Sequence, residues 1–181
     1  GFNTLACWSS VDPFQAVQPR IPFTTQSNFM SGYGKLRGGT YQKPGHTGYP
    51  NDCIFVFDPG FPAFCDETAE ALKGHRIKTD PWLLGRFSDN ELPFPADLLD
   101  RYLALDATDP GHQAAQRWLK QQGGSPSRIH HDLREAFRGY VVDRYLGICR
   151  RAIRKYDPNH LLLGPRFYGS EKRSEAVFRA G

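Results

Sequence analysis

Residues 80–93 have the sequence DPWLLGRFSDNELP, in which a short apolar segment gives way to a polar one. The segment from Leu83 to Phe87 is of the length and hydrophobicity that predict a buried β-strand. Asn90 and Glu91 follow soon after it. Side chains at the carboxyl ends of parallel strands face the edge where barrel enzymes build their sites. The sequence therefore predicts a strand that delivers a carboxyl group to a functional site.

Three further segments have the same character, and helices separate them along the chain. Leu161, Leu162 and Leu163 are apolar at consecutive positions, which favours a parallel strand covered on both faces. Strands that alternate with helices indicate βαβ units and a parallel sheet. The predicted fold class is therefore α/β. The three additional strands are predicted at Phe2 to Ala6, Ile21 to Thr25 and His160 to Gly164.

Two helices are predicted with defined ends. Asp58-Pro59 has the form of an N-cap followed by proline in the first turn, and the helix is expected from Phe61 to His75. The longest helix is expected from Arg128 to Tyr156, because apolar residues recur there at steps of three and four. Asp157-Pro158 should end it.

The connections between these elements are unequal in length. Long segments, Gln26 to Phe57 and Ser88 to Ser127, follow two of the strands, and the second is expected to be partly helical from His112 to Gln121. The returns from helix to strand are short, as at Asp157 to Asn159. Long connections on the carboxyl side of the strands are typical of barrel enzymes, which build a site on that face.

Composition limits the class of protein. The 181 residues are enough for one globular unit, and the formal charge of +4 comes from basic residues that lie singly or in pairs. A nucleic-acid groove would need a denser basic stripe. The four cysteines are widely spaced and are predicted to be buried hydrophobic residues, and no apolar run is long enough to span a membrane. We expect no cofactor, no nucleic-acid partner and no membrane partner.

Glu91 is the leading candidate for chemistry. Cleavage of a glycosidic bond needs a carboxylic acid to protonate the departing oxygen and a second carboxylate, ~5 Å away when configuration is retained. The amide of Asn90 could bind a sugar hydroxyl next to it. The alternative interpretation is that residues 89–91 are a polar turn that caps the next helix.

Four segments resemble the β-agarase-like glycoside hydrolases, in the same order along the chain: residues 1–9, 55–61, 80–93 and 163–167. The resemblance implies a retaining enzyme with a (β/α)8 barrel, in which Glu91 after Asn90 at the end of strand four is the general acid/base. It makes residues 1–181 an incomplete catalytic barrel covering about strands two to five. The nucleophilic glutamate belongs to strand seven and would lie outside the chain. Gly60 and Arg86-Phe87 depart from the family's pattern and leave its fine specificity open.

Other residues are assigned by their positions. Trp8, after strand two, is predicted to stack on a sugar, with a plain core role as the alternative. Arg166, after strand five, is predicted to donate hydrogen bonds to the sugar's hydroxyls in preference to holding Glu91 in position. Asp89 is included among the substrate-binding residues. His46 either contacts substrate or is a solvated loop histidine.

Two groups are set aside. Glu171 and Glu175 have the pattern of an exposed helical face with local charge pairs, so neither is expected to replace the nucleophile. His130 and His131 are adjacent in a helix and point to different faces, so no metal site is expected.

The sequence therefore predicts a glycosidase that acts on a β-galactoside polysaccharide such as agarose, with the exact sugar, linkage and mode of action left open. The alternative is a non-catalytic carbohydrate-binding barrel. We expect the 181 residues alone to be inactive and to self-associate through open barrel edges. A secreted or periplasmic location is favoured over the cytoplasm, because the substrate is a polysaccharide.

Overall fold

The computed structural model describes residues 3–9, 20–71 and 79–180. Its main sheet has three parallel strands in the order β1 (Phe23–Gln26), β4 (Leu83–Asn90) and β5 (Leu161–Arg166). A separate antiparallel hairpin consists of β2 (Tyr41–Lys43) and β3 (His46–Gly48). The prediction of an α/β fold with a parallel sheet is confirmed.

The strands differ from the prediction mainly at their ends. Strand β4 continues to Asn90, three residues beyond the predicted end at Phe87. As a result, Glu91 is the first residue after the strand. Part of the strand predicted from Phe2 to Ala6 lies outside the described residues, and within them Leu5 forms a single parallel bridge to Phe23.

Six helices are present in the described residues. They are α1 (Phe29–Arg37), α2 (Phe61–Ala71), α3 (Leu98–Leu103), α4 (Pro110–Gln121), α5 (His131–Tyr156) and α6 (Glu175–Ala180). Helix α5 contacts α2, α3, α4 and α6 as well as strand β5. It is therefore the element around which the other helices pack.

Helix α5 confirms the predicted periodicity. Most of its apolar residues at steps of three and four, including Phe137, Val141 and Tyr145, are buried in the core, whereas Tyr140 is 36% exposed. The helix ends at Tyr156 as predicted. Asp157 is buried, and its carboxylate accepts a hydrogen bond of 2.7 Å from Nε of Arg86. This ion pair holds the end of α5 against strand β4.

The interpretation of Asp58 as an N-cap is wrong. Helix α2 begins at Phe61, whose backbone N–H donates to the carbonyl of Asp58, and the Asp58 carboxylate pairs with Arg37 of α1 instead. Residues 72–75 of the predicted helix lie outside the described residues.

Helix α1 and the hairpin lie inside the segment from Gln26 to Phe57, which was predicted as one long connection. Its glycines suggested a loop, yet Gly34 lies inside α1. A Cβ at this position would come within 2.6 Å of Cγ2 of Thr40. Glycine is needed at this position for close packing.

Three of the cysteines, Cys53, Cys65 and Cys149, are buried as predicted, and Cys7 is half-buried. All four are free thiols.

Candidate functional site

The three parallel strands end at the same edge of the sheet, and the hairpin lies next to this edge. Strand β1 ends at Gln26, β4 at Asn90 and β5 at Arg166. The backbone N–H of Glu91 donates to the carbonyl of Arg166 at 3.1 Å. Glu91 thus leaves strand β4 while its backbone remains tied to the neighbouring strand.

The backbone of Glu91 has an unusual conformation. Its φ is 49°, in the left-handed region that glutamate seldom adopts. Side chains on successive strand residues alternate between faces, so continuation of the strand would have placed Glu91 on the same face as Asp89. The left-handed turn redirects it.

The side chain of Glu91 lines a cavity of about 180 Å³. It is 26% exposed, and its Oε2 lies 3.5 Å from Nδ1 of His46 on the hairpin. Lys43, Asp52 and Glu171 line the same cavity. The carboxyl group of Glu91 is therefore accessible, and both positively and negatively charged side chains line the cavity around it.

Three residues that the sequence assigned to substrate binding lie in contact with one another. An Nη1–H group of Arg166 donates to Oδ1 of Asn90 at 2.8 Å, and the guanidinium lies 4.5 Å from the centre of the Trp8 ring. Trp8 is 71% exposed. Contacts between cations and aromatic rings of this kind hold both groups in place.

A second cavity, of about 410 Å³, lies on the other side of the hairpin. Trp8 and Asn90 line it together with Gly45 and His46. The amide of Asn90 donates to the carbonyl of Gly45 at 3.1 Å, which leaves its second N–H free for another acceptor. His46 lines both cavities, as do its hairpin neighbours Lys43 and Thr47.

Asp89 does not lie at this site, which corrects its assignment to substrate binding. Its side chain is fully buried and accepts four hydrogen bonds from within the protein. The donors are the backbone N–H of Met30 at 2.8 Å, the backbone N–H of Ser31 at 3.0 Å, the Ser31 hydroxyl at 3.1 Å and the Tyr145 hydroxyl at 2.7 Å.

The role of Asp89 is to cap helix α1. Met30 and Ser31 are in the first turn of that helix, and its own N-cap residue, Asn28, makes no side-chain capping bond. A carboxylate is favourable at a helix N-terminus because it satisfies free N–H groups and faces the positive end of the helix dipole. Burial nevertheless raises the pKa of Asp89 to about 6, with the hydrogen bonds acting in the opposite direction.

The description of Glu171 as part of an exposed helical face is wrong. Residues Gly169–Arg173 form a 3-10 helix, and Glu171 is only 4% exposed. Its Oε1 accepts a hydrogen bond from the backbone N–H of Phe94 at 3.1 Å. Glu175, by contrast, is exposed and pairs with Arg179, as the sequence suggested.

His46 is also not a solvated loop histidine. Its side chain is 18% exposed, and its ring packs against that of Tyr168 with centroids 5.4 Å apart. Periodicity could not reveal this position, because it depends on where the hairpin lies relative to β4 and β5. The one local signal was the pair Pro44-Gly45, which forms the two-residue turn of the hairpin.

Comparison with solved structures identifies the same arrangement of elements elsewhere. The chain matches BpGH50 with a TM-score of 0.81 and 23% identity over 99% of its length. It matches an exo-β-agarase with a TM-score of 0.67 and 23% identity, again over 99% of the chain. The agarase AgWH50C matches with a TM-score of 0.66 and 21% identity over 99% of the chain. The chain has the fold of these structures.

The predicted resemblance to β-agarase-like glycoside hydrolases is thereby confirmed at the level of the fold. The chain spans 42% of BpGH50, 28% of the exo-β-agarase and 27% of AgWH50C, less than half of each. No protein-family model matches the chain, and no curated protein matches it.

Two further features of this agarase-like fold bear on the site. Within residues 3–9, 20–71 and 79–180, no cluster of three or more His, Cys, Asp and Glu side chains is arranged to hold a metal ion. No helix among those same residues combines the length and hydrophobicity that a bilayer crossing requires.

Proposed function

We propose that this chain is part of a retaining glycoside hydrolase that acts on a β-galactoside polysaccharide such as agarose, with Glu91 as general acid/base. The observation that carries the proposal is the position of Glu91: it directly follows a parallel strand, turns through a left-handed φ of 49° and lines an open cavity. Strained backbone at such a point is characteristic of functional residues. The fold itself is shared with solved agarase structures.

The neighbouring residues have complementary roles in this proposal. Trp8 offers an exposed ring on which a sugar can stack, and Arg166 holds both that ring and the amide of Asn90. The free N–H of Asn90 then donates to a sugar hydroxyl. Such a bond strengthens as positive charge develops on the sugar ring in the transition state.

The reaction follows the two-step retaining scheme. Glu91 donates its proton to the glycosidic oxygen while a second carboxylate attacks the anomeric carbon and forms a glycosyl-enzyme. Glu91 then takes a proton from water, which attacks the same carbon and releases the sugar. The resemblance assigns the nucleophile to strand seven, outside these 181 residues. Glu171 is not a substitute, because it is buried and hydrogen-bonded to the Phe94 backbone.

We further propose that the chain is a single catalytic unit in which Leu5, β1, β4 and β5 correspond to strands two to five of a (β/α)8 barrel. Leu84 of β4 and Leu161 of β5 are 46% and 52% exposed, as expected where other parts of a barrel would pack. These surfaces should lead the isolated chain to self-associate, which light scattering would detect. A secreted or periplasmic location follows from the polysaccharide substrate.

The experiment uses the longest open reading frame that contains these residues, assayed on agaro-oligosaccharides. Glu91→Gln should lower kcat/KM by about 10²–10⁴-fold, the usual contribution of a general acid/base. Glu175→Gln is the matched control, because Glu175 is exposed and its carboxylate pairs with Arg179. The control should retain full activity, and the isolated 181 residues should have none.

Azide distinguishes an acid/base from other roles. In Glu91→Ala, added azide should restore turnover of an aryl glycoside and release a glycosyl azide of retained configuration, because azide needs no general base. Unchanged turnover in Glu91→Gln would contradict the assignment. Tight sugar binding without turnover, lost in a Trp8→Ala variant, would instead establish the non-catalytic carbohydrate-binding alternative, which the exposed Trp8 beside Arg166 favours.

A further inference from the structure

We infer that His46 is a positioning residue for Glu91: its Nδ1–H donates to Oε2 of the carboxyl group and leaves Oε1 to exchange a proton with the glycosidic oxygen. The inference rests on the proposed role of Glu91. The inference also assigns a function to the β2–β3 hairpin, which was predicted only as part of a long connection.

The geometry places a free donor next to the carboxyl group. Nδ1 of His46 lies 3.5 Å from Oε2 of Glu91, and this nitrogen is buried without a hydrogen-bond partner. A buried polar atom without a partner is unfavourable, so a contact that satisfies it is favoured. A shift of ~0.6 Å would bring the two atoms to ordinary hydrogen-bond distance. A small rotation of the Glu91 side chain can supply it.

The histidine ring is itself held in place from two sides. His46 pairs with Lys43 across the hairpin, whose turn is tied to strand β4 because the Asn90 amide donates to the Gly45 carbonyl at 3.1 Å. The ring packs against Tyr168, which follows strand β5. A side chain fixed by elements that follow β1, β4 and β5 is well placed to orient another.

The other charged groups that line the cavity have contacts of their own. Lys43 donates to Oδ1 of Asp52 at 2.8 Å, and Asp52 also pairs with Arg101 at 3.1 Å. Glu171 accepts the Phe94 N–H through Oε1, while its Oε2 is buried without a hydrogen-bond partner. The buried ring nitrogen Nδ1 of His46 lies 3.5 Å from the Glu91 carboxyl group and has no other partner. In a variant without this ring, we expect the Glu91 side chain to turn toward Lys43, whose ammonium group has three N–H donors.

Three substitutions at one position test the inference in the longest open reading frame. His46→Ala removes the donor and should lower kcat by about 10–100-fold with little change in KM, because substrate contacts remain. The amide nitrogen of His46→Asn lies where Nδ1 lies, so this variant should recover to within about fivefold of wild type. His46→Gln carries its nitrogen further out, near the position of Nε2, and should remain as impaired as the alanine variant.

The leaving group provides a readout that structural damage would not mimic. Dinitrophenolate departs with little protonation, so with a dinitrophenyl glycoside the kcat/KM of His46→Ala, which reports glycosylation, should fall by less than about threefold. On an oligosaccharide its kcat/KM should show the full loss of about 10–100-fold. Equal losses on both substrates, or equal activity of the Asn and Gln variants, would overturn the inference. Thermal melting of each variant checks that the fold is unchanged.

A measurement independent of activity separates this inference from the proposed function. Nitrogen-15 NMR of the histidine-labelled longest open reading frame reports which ring nitrogen of His46 carries the proton. We expect the proton on Nδ1 in wild type and no such preference in Glu91→Ala. A ring protonated only at Nε2 would refute the positioning role even in an active enzyme. An Nδ1–H tautomer in a protein without glycosidase activity would refute the proposed function and leave the contact standing.

Discussion

Asp89 and Glu91 are two carboxylic acids separated by one residue, yet they have opposite environments. Asp89 is fully buried and accepts four hydrogen bonds, whereas Glu91 is 26% exposed and faces a cavity. In an unbroken strand the two side chains would share a face. The positive φ of Glu91 separates them, and it allows one strand end to provide both a structural anchor and a candidate catalytic group.

The largest expected difference between the two acids is in stability. Asp89→Ala should lower the free energy of unfolding by about 2–4 kcal/mol at pH 5, because the buried N–H groups of Met30 and Ser31 lose their acceptor. Glu91→Ala should change it by less than about 1 kcal/mol. Urea denaturation of both variants gives the comparison, and similar losses in the two would show that Asp89 does not cap helix α1.

A smaller effect is expected from pH. The folded protein raises the pKa of Asp89 from 3.8 to about 6, so it binds this proton more tightly than the unfolded chain does. The stabilising contribution is therefore complete below about pH 4 and is lost as the pH rises through 6, by at most about 3 kcal/mol.

The contribution of Asp89 to this pH dependence is obtained by subtracting the unfolding free energy of Asp89→Ala from that of wild type at each pH. Asp89→Ala has no such group, so the gap in unfolding free energy between wild type and variant should narrow between pH 4 and 6. Denaturation curves across that range measure it. A gap that widens with pH would mean that the helix N-terminus stabilises the ionised form more than burial destabilises it.

The smallest effect concerns strain at Glu91. Asparagine adopts the left-handed region more readily than glutamate, so Glu91→Asn should raise the free energy of unfolding by about 0.5–1 kcal/mol. Glu91→Gln keeps the side-chain length and should leave stability unchanged. If both variants stabilise the protein equally, the gain comes from removing a charge near Asp52 and Glu171, and the backbone explanation fails.

Much of the fold could be predicted because its elements follow local patterns. The strand at Leu83 and the helix that ends at Tyr156 were marked by runs and periodic spacing of apolar residues, which depend only on nearby sequence. Helix α1 was missed because its glycines resemble a loop. Its N-terminus is capped by Asp89, which lies 59 residues after Met30 and 58 residues after Ser31, the two residues that donate to it.

The candidate site was predicted unevenly for the same reason. Glu91, Asn90, Trp8 and Arg166 each follow or end a strand or bridge segment, so their positions made them candidates. The resemblance to β-agarase-like enzymes then favoured Glu91 over a polar turn, and the roles of these residues stay predictions. Asp89 was wrongly included because the left-handed turn at Glu91, which the strand pattern does not predict, places Glu91 at the cavity and leaves Asp89 in the core. The burial of His46 and Glu171 depends on how loops from separate strands meet.

The sequence alone determined the α/β class, the C-terminal end of the main helix and the presence of a carboxyl group at the end of a parallel strand. Those features arise from hydrophobic periodicity and from residues that stop helices, both of which act over a few positions. The tertiary structure decided which of two neighbouring acids is buried, and it brought His46 to Glu91. Hydrogen-bond partners and solvent exposure depend on contacts between distant segments, and a linear pattern does not contain them.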